Sequence, residues 1–258
     1  MAARLAAAGG RADLLIGNNV LPHVPDLNDF VAGLELMLAP DGLLTLELPH
    51  LLQLLRAGQF DTIYHEHFSY FSLMSAEQVL EAHGLAVFDV EELSTHGGSL
   101  RLYAAHSEGP HEPTARVEEL RAKERTAGLD QLATYLRFNE TARAAKRDLL
   151  AFLLEAKRSG KSIVGYGAAA KGVTLLNFCG IGTDFLDYVV DRSPHKQGRY
   201  LPGVRVPIHA PERIAETKPD VLLVLPWNLA DEIAEQMAFC RSWGCELVVP
   251  IPEVSVLG

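Results

Sequence analysis

The stretch SIVGYGAAAKG, residues 162–172, decides the fold, because a short apolar run enters a glycine-rich turn there and a helical pattern leaves it. The helical pattern continues through Leu176. Three further apolar runs follow, separated by helical stretches: Leu186–Val190, Asp220–Leu225 and Glu246–Pro250. Strands that alternate with helices predict a mostly parallel sheet with right-handed crossovers. Residues 161–258 are therefore predicted to form a small Rossmann-like domain.

The N-terminal half of the sequence predicts a second α/β region. An apolar strand at Ala12–Gly17, a helix at Leu27–Leu38 and a strand at Leu43–Leu48 form a βαβ pattern. A turn is expected at residues 39–42, where proline and glycine occur together. Further on, Ser75–His83 is expected to form a short helix with Ser75 as its N-cap.

The middle of the chain predicts a pair of strands followed by long helices. The apolar runs Leu85–Val90 and Leu100–Ala105 are expected to pair antiparallel. From Thr114 to Ser159 there is no proline, charges are dense, and apolar residues recur every three or four positions, which is typical of amphipathic helices. The predicted division of the chain is an α/β domain at 1–111, a helical connector at 112–160 and the Rossmann-like domain at 161–258.

The composition of the 258-residue chain excludes several classes of protein. Hydrophobic residues make up 48% and charged residues 22%, which indicates a globular rather than a disordered protein. No apolar run approaches the ~20 residues that cross a bilayer, so no membrane partner is expected. A net charge of −10 disfavours binding to nucleic acid. The three cysteines form no CxxC pair, so no metal is expected, and their odd number suits the cytoplasm.

The densest group of chemically active side chains is Tyr64-His65-Glu66-His67. An imidazole titrates near neutral pH, and a neighbouring Glu or Tyr can orient it for acid–base catalysis. If the segment is extended, His65 and His67 share a face and could bind a metal together with a third ligand. A loop with two half-exposed histidines is the structural alternative.

The glycine-rich turn at residues 165–172 indicates either a nucleotide site or a purely structural tight turn. Glycines let the backbone approach a phosphate, and the following helix N-terminus offers N–H donors. The spacing departs from GxGxxG, and an acidic residue, Asp191, follows at the end of the next strand. Asn18 and Asn19 also follow a predicted strand, which is where open α/β sheets bind ligands.

Taken together, these motifs resemble those of the S-adenosylmethionine-dependent sugar C-methyltransferases. The resemblance rests on five stretches in the same order: residues 18–26 (NNVLPHVPD), 64–68 (YHEHF), 96–101 (HGGSLR), 167–172 (GAAAKG) and 191–198 (DRSPHKQG). It runs over nearly the whole chain, and the nearest group is the tetronitrose-type C-3′-methyltransferases. It implies that residues 1–111 are part of a class I methyltransferase sheet and that the Rossmann-like domain helps to hold a nucleotide-linked sugar.

The resemblance also implies a reaction and a set of site residues. S-adenosylmethionine is the expected cofactor, and a methyl group is expected to pass to C-3 of a nucleotide-linked 4-keto-deoxysugar through an enolate. His67 is the expected base, with Tyr64, Glu66 and His23 orienting it or stabilising the enolate oxygen. The residues assigned to binding are Asn18 and Asn19 for the cofactor, and Ser99, Arg101, Tyr166, Lys171 and Lys196 for the nucleotide diphosphate.

The sequence departs from the family at its N-terminal end. Family members are longer, and the resemblance implies that this chain is expected to begin at the helix before the fourth strand of the methyltransferase sheet. The strand at Ala12–Gly17 is therefore expected to be an exposed apolar edge, and the 258-residue chain is expected to bind S-adenosylmethionine weakly or not at all. Two alternatives stay open: a non-catalytic nucleotide-sugar-binding remnant, and an NAD-dependent oxidoreductase built on the glycine-rich turn.

Overall fold

The computed structural model describes residues 1–258, which form two compact units. The first unit comprises Met1–Arg56 and His65–Leu136, and the second comprises Ala57–Tyr64 and Arg137–Gly258. Each unit has its own sheet and its own apolar core. The predicted α/β fold class is confirmed.

The first unit is built on a four-stranded sheet. Its helices and strands are, in chain order, α1 (Ala2–Gly9), β1 (Ala12–Asn18), α2 (Leu27–Met37), β2 (Leu38–Pro49), α3 (Leu51–Arg56), α4 (Leu73–Glu81), β3 (Leu85–Leu93), β4 (Ser99–His106) and α5 (Ala115–Thr126). The strand order is β1-β2-β4-β3, with β1 parallel to β2 and the other pairs antiparallel. The core joins buried side chains of β2, β3 and β4 to those of α4 and α5. The predicted βαβ unit and antiparallel pair are therefore confirmed.

Strand β1 forms one edge of this sheet. Its side chains Leu14 and Ile16 are 52% and 65% exposed, although both are large and apolar. Because β1 pairs with β2 alone, its other side presents unpaired backbone groups as well. The predicted exposed apolar edge is therefore present in the structure.

The turn predicted at residues 39–42 is wrong, because these residues lie within β2. Ala12 pairs with Leu38 and Leu14 pairs with Leu43, so residues 39–42 form an irregularity in the strand. The backbones approach closely there: a Cβ atom on Gly42 would lie 2.8 Å from the carbonyl oxygen of Ala12. The pairs with β1 on either side of residues 39–42 therefore keep this unpaired segment within β2.

The predicted start of α4 is also wrong, because the N-cap is Ser72 and not Ser75. The Ser72 hydroxyl accepts a hydrogen bond from the Ser75 backbone N–H at 3.1 Å, and the Ser75 hydroxyl accepts one from the Ser72 N–H at 2.9 Å. This reciprocal capping box places Ser75 inside the first turn. Two serines three residues apart both suit a cap, and the sequence alone did not show which of them begins the helix.

The second unit is built on a six-stranded sheet. Helix α6 (Leu132–Arg158) begins in the first unit and continues into the second. The remaining elements are β5 (Ile163–Tyr166), α7 (Ala170–Cys179), β6 (Val189–Val190), β7 (Ile208–His209), α8 (Arg213–Thr217), β8 (Val221–Val224), α9 (Ala230–Gln236), β9 (Glu246–Val249) and β10 (Ser255–Val256). The strand order is β10-β9-β8-β5-β6-β7, and all neighbours are parallel except β10 and β9. The predicted Rossmann-like sheet is confirmed.

The order of these strands creates one special position at the carboxyl edge of the sheet. After β5 the chain adds β6 and β7 on one side, and it then returns to add β8 and β9 on the other side. The carboxyl ends of β5 and β8 are therefore the point at which the strand order reverses. Open α/β sheets bind ligands in the crevice that this reversal creates.

Two further findings concern the helices and the cysteines. No helix in the chain is both long and apolar enough to cross a membrane. Cys179, Cys240 and Cys245 are free and buried. The division of the chain at 111 and 160 stays a prediction.

Candidate functional site

Three aromatic rings cluster beyond the carboxyl end of β1 in the first unit. The His67 ring lies 4.8 Å from the His23 ring and 5.9 Å from the Tyr70 ring, measured between centroids. The His67–Tyr70 contact is edge-to-face, and the two histidine rings are tilted by 56°. The structure therefore brings together two of the predicted catalytic residues, and it adds Tyr70 beside them.

Backbone hydrogen bonds hold the two segments of this cluster together. Pro22 lies in the single-turn helix Leu21–His23, and its carbonyl oxygen accepts from the N–H groups of Phe68 and Ser69 at 2.8 and 3.3 Å. The Nδ1 atom of His23 lies 2.8 Å from the carbonyl oxygen of Glu66. Since a carbonyl oxygen only accepts, Nδ1 of His23 carries the proton, and Nε2 of the neutral ring is left as an acceptor.

The remaining residues of the motif lie in different surroundings. Residues 65 and 66 form a turn, and the side chains of His65 and Glu66 are 87% and 59% exposed, with His65 Nε2 4.0 Å from Glu66 Oε1. His65 and His67 therefore do not share a face as they would in an extended segment. Tyr64 is half-buried and is the last residue of the Ala57–Tyr64 segment of the second unit.

The two asparagines predicted to bind the cofactor stand at the carboxyl end of β1. Asn18 is exposed and pairs with Glu47 across the sheet. Asn19 follows with a positive φ of 53°, and its backbone N–H donates to the carbonyl oxygen of Glu47 at 2.7 Å. Asparagine tolerates this left-handed conformation better than most residues do. The backbone thus leaves the extended conformation immediately after β1.

Ser99 and Arg101, predicted to bind a diphosphate, have protein partners in the structure. The Ser99 hydroxyl is buried and donates to the carbonyl oxygen of Thr95 at 3.0 Å. Arg101 donates to Glu47 at 2.9 Å, and Thr95 donates to the other carboxylate oxygen at 2.9 Å. Burial raises the pKa of Glu47, but these two hydrogen bonds and the positive charge of Arg101 bring it below its ordinary value.

In the second unit, the glycine-rich turn packs tightly against the end of β8. Gly167 has a φ of 93°, and a Cβ atom there would lie 2.4 Å from Pro226 Cγ. A Cβ atom on Gly172 would lie 2.8 Å from Leu225 Cβ. These close approaches explain why both positions are glycine, because any side chain would push β5 and α7 away from β8.

Lys171, in the first turn of α7, points its ammonium group at the same strand end. Its Nζ lies 4.4 Å from the centre of the Trp227 ring and 3.1 Å from Asn228 Oδ1. Trp227 and Asn228 both follow β8, so the loop after β8, at the point of strand reversal, holds this cation. Lys171 is the predicted diphosphate ligand that stands where open α/β sheets bind ligands.

A buried carboxylate, Asp61, stands behind Trp227. The indole Nε1–H of Trp227 donates to Asp61 Oδ2 at 2.8 Å, and Asp61 Oδ1 has no hydrogen-bond partner. Burial raises the pKa of Asp61 to about 6, although the Trp227 hydrogen bond and the charge of Lys171 oppose the increase. Burial lowers the pKa of Lys171, and the charge of Asp61 partly offsets that effect.

Asp191 organises the loop that follows β6. Its carboxylate accepts from the backbone N–H groups of Ala168 and Ser193, both at 2.8 Å. Lys196 forms an ion pair with the same carboxylate at 3.1 Å. Asp191 thus joins the glycine-rich turn to the charged loop, and Lys196 has a protein partner beside that turn.

Tyr166, another predicted diphosphate ligand, is almost completely buried at the end of β5. It is 5% exposed, and its hydroxyl donates to Gln236 Oε1 at 3.2 Å. Burial raises its pKa. Its partner therefore comes from α9, and its ring belongs to the core on that side of the sheet.

Three residues of these two clusters were not predicted from the sequence: Tyr70, Asp61 and Trp227. Tyr70 lies three residues after His67, and only packing shows that the two rings are in contact. An aspartate beside Phe60, three positions before Tyr64, and a Trp-Asn pair shortly after a buried strand were visible signals. Neither signal reveals that the two segments meet, because they are far apart in the chain.

The chain is similar to known methyltransferases along most of its length. The family described as "C-methyltransferase C-terminal domain" matches residues 94–252, and the family described as "Methyltransferase domain" matches residues 2–90. C-methyltransferase NovU of Streptomyces niveus is 41% identical over 256 residues, which cover 98% of this chain and 60% of NovU. The chain therefore spans about 60% of the length of this relative.

Similarity to solved structures is weaker. Magnesium protoporphyrin IX methyltransferase from Synechocystis, solved with bound SAH, is 21% identical over 40% of this chain and 48% of its own, with a TM-score of 0.31. An O-methyltransferase family protein from Burkholderia thailandensis is 18% identical over 42% of this chain and 34% of its own, with a TM-score of 0.30. Likenesses of this size say nothing about the reaction.

Proposed function

The chain belongs to the C-methyltransferase family, whose C-terminal domain matches more than half of it, and from this premise we propose that the protein is an S-adenosylmethionine-dependent C-methyltransferase. The proposed substrate is a nucleotide-linked 4-keto-deoxysugar that receives the methyl group at C-3. The carbonyl group of such a sugar acidifies the neighbouring C–H bond, so the chain's own task is to remove that proton and hold the resulting enolate.

His67 is the proposed base, and its contact with His23 is the observation that supports the proposal most directly. The two rings lie 4.8 Å apart, and Nδ1 of His23 is tied to the Glu66 carbonyl. A histidine is a competent base near neutral pH, and packing against two other rings restricts its orientation. His67 is accordingly proposed to take the C-3 proton of the sugar.

The enolate oxygen needs a hydrogen-bond donor or a positive charge. Tyr64, Glu66 and His23 are proposed to orient the base or to stabilise this oxygen. Tyr64 offers a phenolic O–H, and protonated His23 would offer Nε2–H while Nδ1 remains bonded to Glu66. Tyr70 joins them as an aromatic neighbour of the base.

S-adenosylmethionine supplies an electrophilic methyl group when it is bound. Asn18 and Asn19 are proposed to flank it. They fit this role because the exposed amide of Asn18 ends β1 and Asn19 follows it with a positive φ, at the carboxyl edge of a parallel strand pair. The two amides offer both donors and acceptors, which suits a ligand that carries amino, carboxylate and hydroxyl groups.

Five residues are proposed, each on its own ground, to bind the diphosphate of the substrate. Lys171 has the strongest support, because it is a cation at the point where the strand order reverses. Tyr166, Lys196, Ser99 and Arg101 complete the proposed set. The proposed partner is thus a small molecule, neither nucleic acid nor membrane, and the proposed location is the cytoplasm.

The experiment that tests the base separates proton removal from methyl transfer. A nucleotide-linked 4-keto-6-deoxysugar is incubated with the chain in D2O, and loss of the C-3 proton signal is followed by NMR. His67→Asn is expected to slow this exchange by at least ~100-fold, the usual range for losing a general base. His65→Asn is the matched control, because His65 is 87% exposed in the same motif.

Each outcome bears on a different part of the proposal. Exchange that depends on His67 and not on His65 supports the base and the substrate class. Equal exchange by the wild type and His67→Asn removes His67 as the base. Binding of the nucleotide sugar by the wild type without exchange would favour the non-catalytic binding module.

A further inference from the structure

Asp61 is the most deeply buried carboxylate of the second unit, and no step of the proposed reaction uses it. Its exposed fraction is 0%, and it lies between the buried neighbours Phe60 and Thr62 in a single-turn helix. One carboxylate oxygen accepts from the Trp227 indole at 2.8 Å, and the other has no partner. A buried polar atom without a partner is costly, so its retention points to a task.

The group that Asp61 holds is itself in contact with Lys171. The Trp227 indole donates to Asp61 with its N–H, while the face of the same ring lies 4.4 Å from Lys171 Nζ. Asn228 Oδ1 accepts from Lys171 at 3.1 Å on the same loop. A chain of contacts therefore runs from the carboxylate through the indole to the ammonium group.

The charges in this cluster support one another. Lys171 is the charged group that acts on the Asp61 carboxyl, and Asp61 is the charged group that acts on Lys171. Burial disfavours the charged form of both side chains, and each opposes that effect in the other. The positive and the negative charge thus each offset part of the effect that burial has on the pKa of the other.

We propose that Asp61 is a positioning residue, which fixes the Trp227 indole and through it holds the Lys171 ammonium group in place to receive an anionic group of the substrate. The inference rests on the proposed function for the identity of that group, a nucleotide diphosphate. Asp61 itself touches no substrate in this proposal, and it acts through Trp227 and Lys171.

Asp61 also connects this cluster to the proposed catalytic motif along the chain. It belongs to the segment Ala57–Tyr64, which packs in the second unit, and Tyr64 follows three residues later. Phe60 of the same segment lies in the core of the second unit. The carboxylate that orders Lys171 therefore also anchors the segment that leads to Tyr64.

The first test follows Lys171 without any ligand. The pKa of the Lys171 ammonium group is measured by NMR, from the side-chain resonances that Lys171→Met removes. Asp61→Asn keeps an acceptor for the indole and loses the charge, so it is expected to lower the Lys171 pKa by about one pH unit. Asp231→Asn, which removes an exposed charge from the same unit, is the control and is expected to leave it unchanged.

Asp61→Ala and Trp227→Phe examine the hydrogen bond. Asp61→Ala is expected to shift the Trp227 indole N–H resonance, and Asp61→Asn is expected to restore most of that shift. Trp227→Phe keeps every charge and is expected to raise the Asp61 pKa, because the hydrogen bond that favours the carboxylate is lost. Circular dichroism checks the fold, and Trp227→Phe provides a test should the Asp61 variants not fold.

The second test adds inorganic pyrophosphate as a probe of the diphosphate site, with binding measured by calorimetry. Asp61→Ala and Trp227→Phe are each expected to weaken binding about tenfold, and the double variant is expected to lose no more than either alone. If the wild type does not bind pyrophosphate, the proposed diphosphate site is wrong, and the Lys171 titration still decides the role of Asp61. An unchanged Lys171 titration in Asp61→Asn would overturn the positioning role.

Discussion

His23 donates a hydrogen bond from Nδ1 to the backbone carbonyl oxygen of Glu66, with 2.8 Å between the two atoms. The bond joins the turn after β1 to the segment that carries the proposed base, and it selects the tautomer of His23. A histidine whose Nδ1 is occupied presents only Nε2 to a substrate. The relationship therefore bears on both the stability of the loop and the chemistry of the ring.

Replacement of His23 separates these two effects. The side-chain NH2 group of Asn can donate to the Glu66 carbonyl oxygen in place of His23 Nδ1. The free energy of unfolding of His23→Asn is therefore expected to stay within about 0.5 kcal/mol of the wild type, whereas that of His23→Ala is expected to fall by about 1 kcal/mol. Both variants lack Nε2 and are expected to slow C-3 proton exchange. Urea unfolding and NMR exchange measure the two quantities. C-3 proton exchange by His23→Asn at the wild-type rate would show that His23 Nε2 is not required.

Glu124 is predicted to be a major contributor to the stability of the first unit. Its buried carboxylate accepts from His50 Nε2 at 2.9 Å and from the N–H groups of Leu73 and Met74, at the start of α4, at 2.7 and 3.0 Å. Glu124→Ala is expected to lower the free energy of unfolding by about 3–5 kcal/mol, because it leaves these donors buried without an acceptor.

The Glu124 prediction is checked by urea unfolding. Glu124→Gln keeps one acceptor oxygen and is expected to lose less than Glu124→Ala. Glu119→Ala is the control, because Glu119 is exposed on the same helix and a change there is expected to stay within about 0.5 kcal/mol. Equal losses in Glu119→Ala and Glu124→Ala would contradict the prediction.

Two glycines with positive φ distinguish backbone strain from close packing. Gly167 has a φ of 93° and a Cβ atom there would meet Pro226 at 2.4 Å, while Gly180 has a φ of 74° and open space around it. Gly180→Ala is expected to cost about 1–2 kcal/mol for the left-handed backbone alone. Gly167→Ala is expected to cost a further 1–3 kcal/mol or so from overpacking. Thermal unfolding of both variants measures the difference, and equal melting temperatures would refute the packing argument.

Asp61 predicts a characteristic dependence of stability on pH. Its pKa is raised from 3.8 to about 6 in the folded chain, so its favourable contribution is complete below about pH 4 and is lost as the pH rises through 6. The stability of the wild type relative to Asp61→Asn is therefore expected to fall between pH 4 and pH 7. The fall is at most about 3 kcal/mol, because each pH unit between the two pKa values corresponds to about 1.4 kcal/mol. Urea unfolding across this range tests it, and parallel curves for the two proteins would argue against it.

The exposed edge of β1 predicts self-association. Ile16 is 65% exposed on a strand with one unpaired side. Ile16→Lys is expected to raise the concentration at which the chain aggregates, because charged side chains on edge strands oppose strand addition. Light scattering over a concentration series measures this. The free energy of unfolding is expected to change little, because replacing the exposed Ile16 side chain creates no cavity. If Ile16→Lys aggregates at the same concentration as the wild type, the edge of β1 is not the cause of the aggregation.

Much of the fold could be predicted from the sequence, because it depends on local patterns. The alternation of apolar strands with helices between residues 162 and 250 predicts a parallel sheet, and the structure has one. The errors concern places where distant segments compete with local preference. Residues 39–42 have the composition of a turn, and the pairs with β1 on either side keep them within β2.

The candidate site divides in the same way. The motif at residues 64–67 and the glycine-rich turn were evident because each is continuous in the chain. The contact of His67 with His23 also required β1 and its following turn to be in place. No local pattern predicts that Asp61 accepts from Trp227, because that hydrogen bond joins segments 166 residues apart.

By itself, the sequence determined the class of fold, the family and the residues able to do chemistry, because side-chain type and periodicity are properties of short segments. Only the tertiary structure decided which of these residues have protein partners. Ser99, Arg101, Tyr166 and Lys196 each contact another side chain or a backbone group. The glycines of the turn illustrate the physical reason, since Gly167 is required by the position of Pro226, and that position exists only after β5 and β8 have paired.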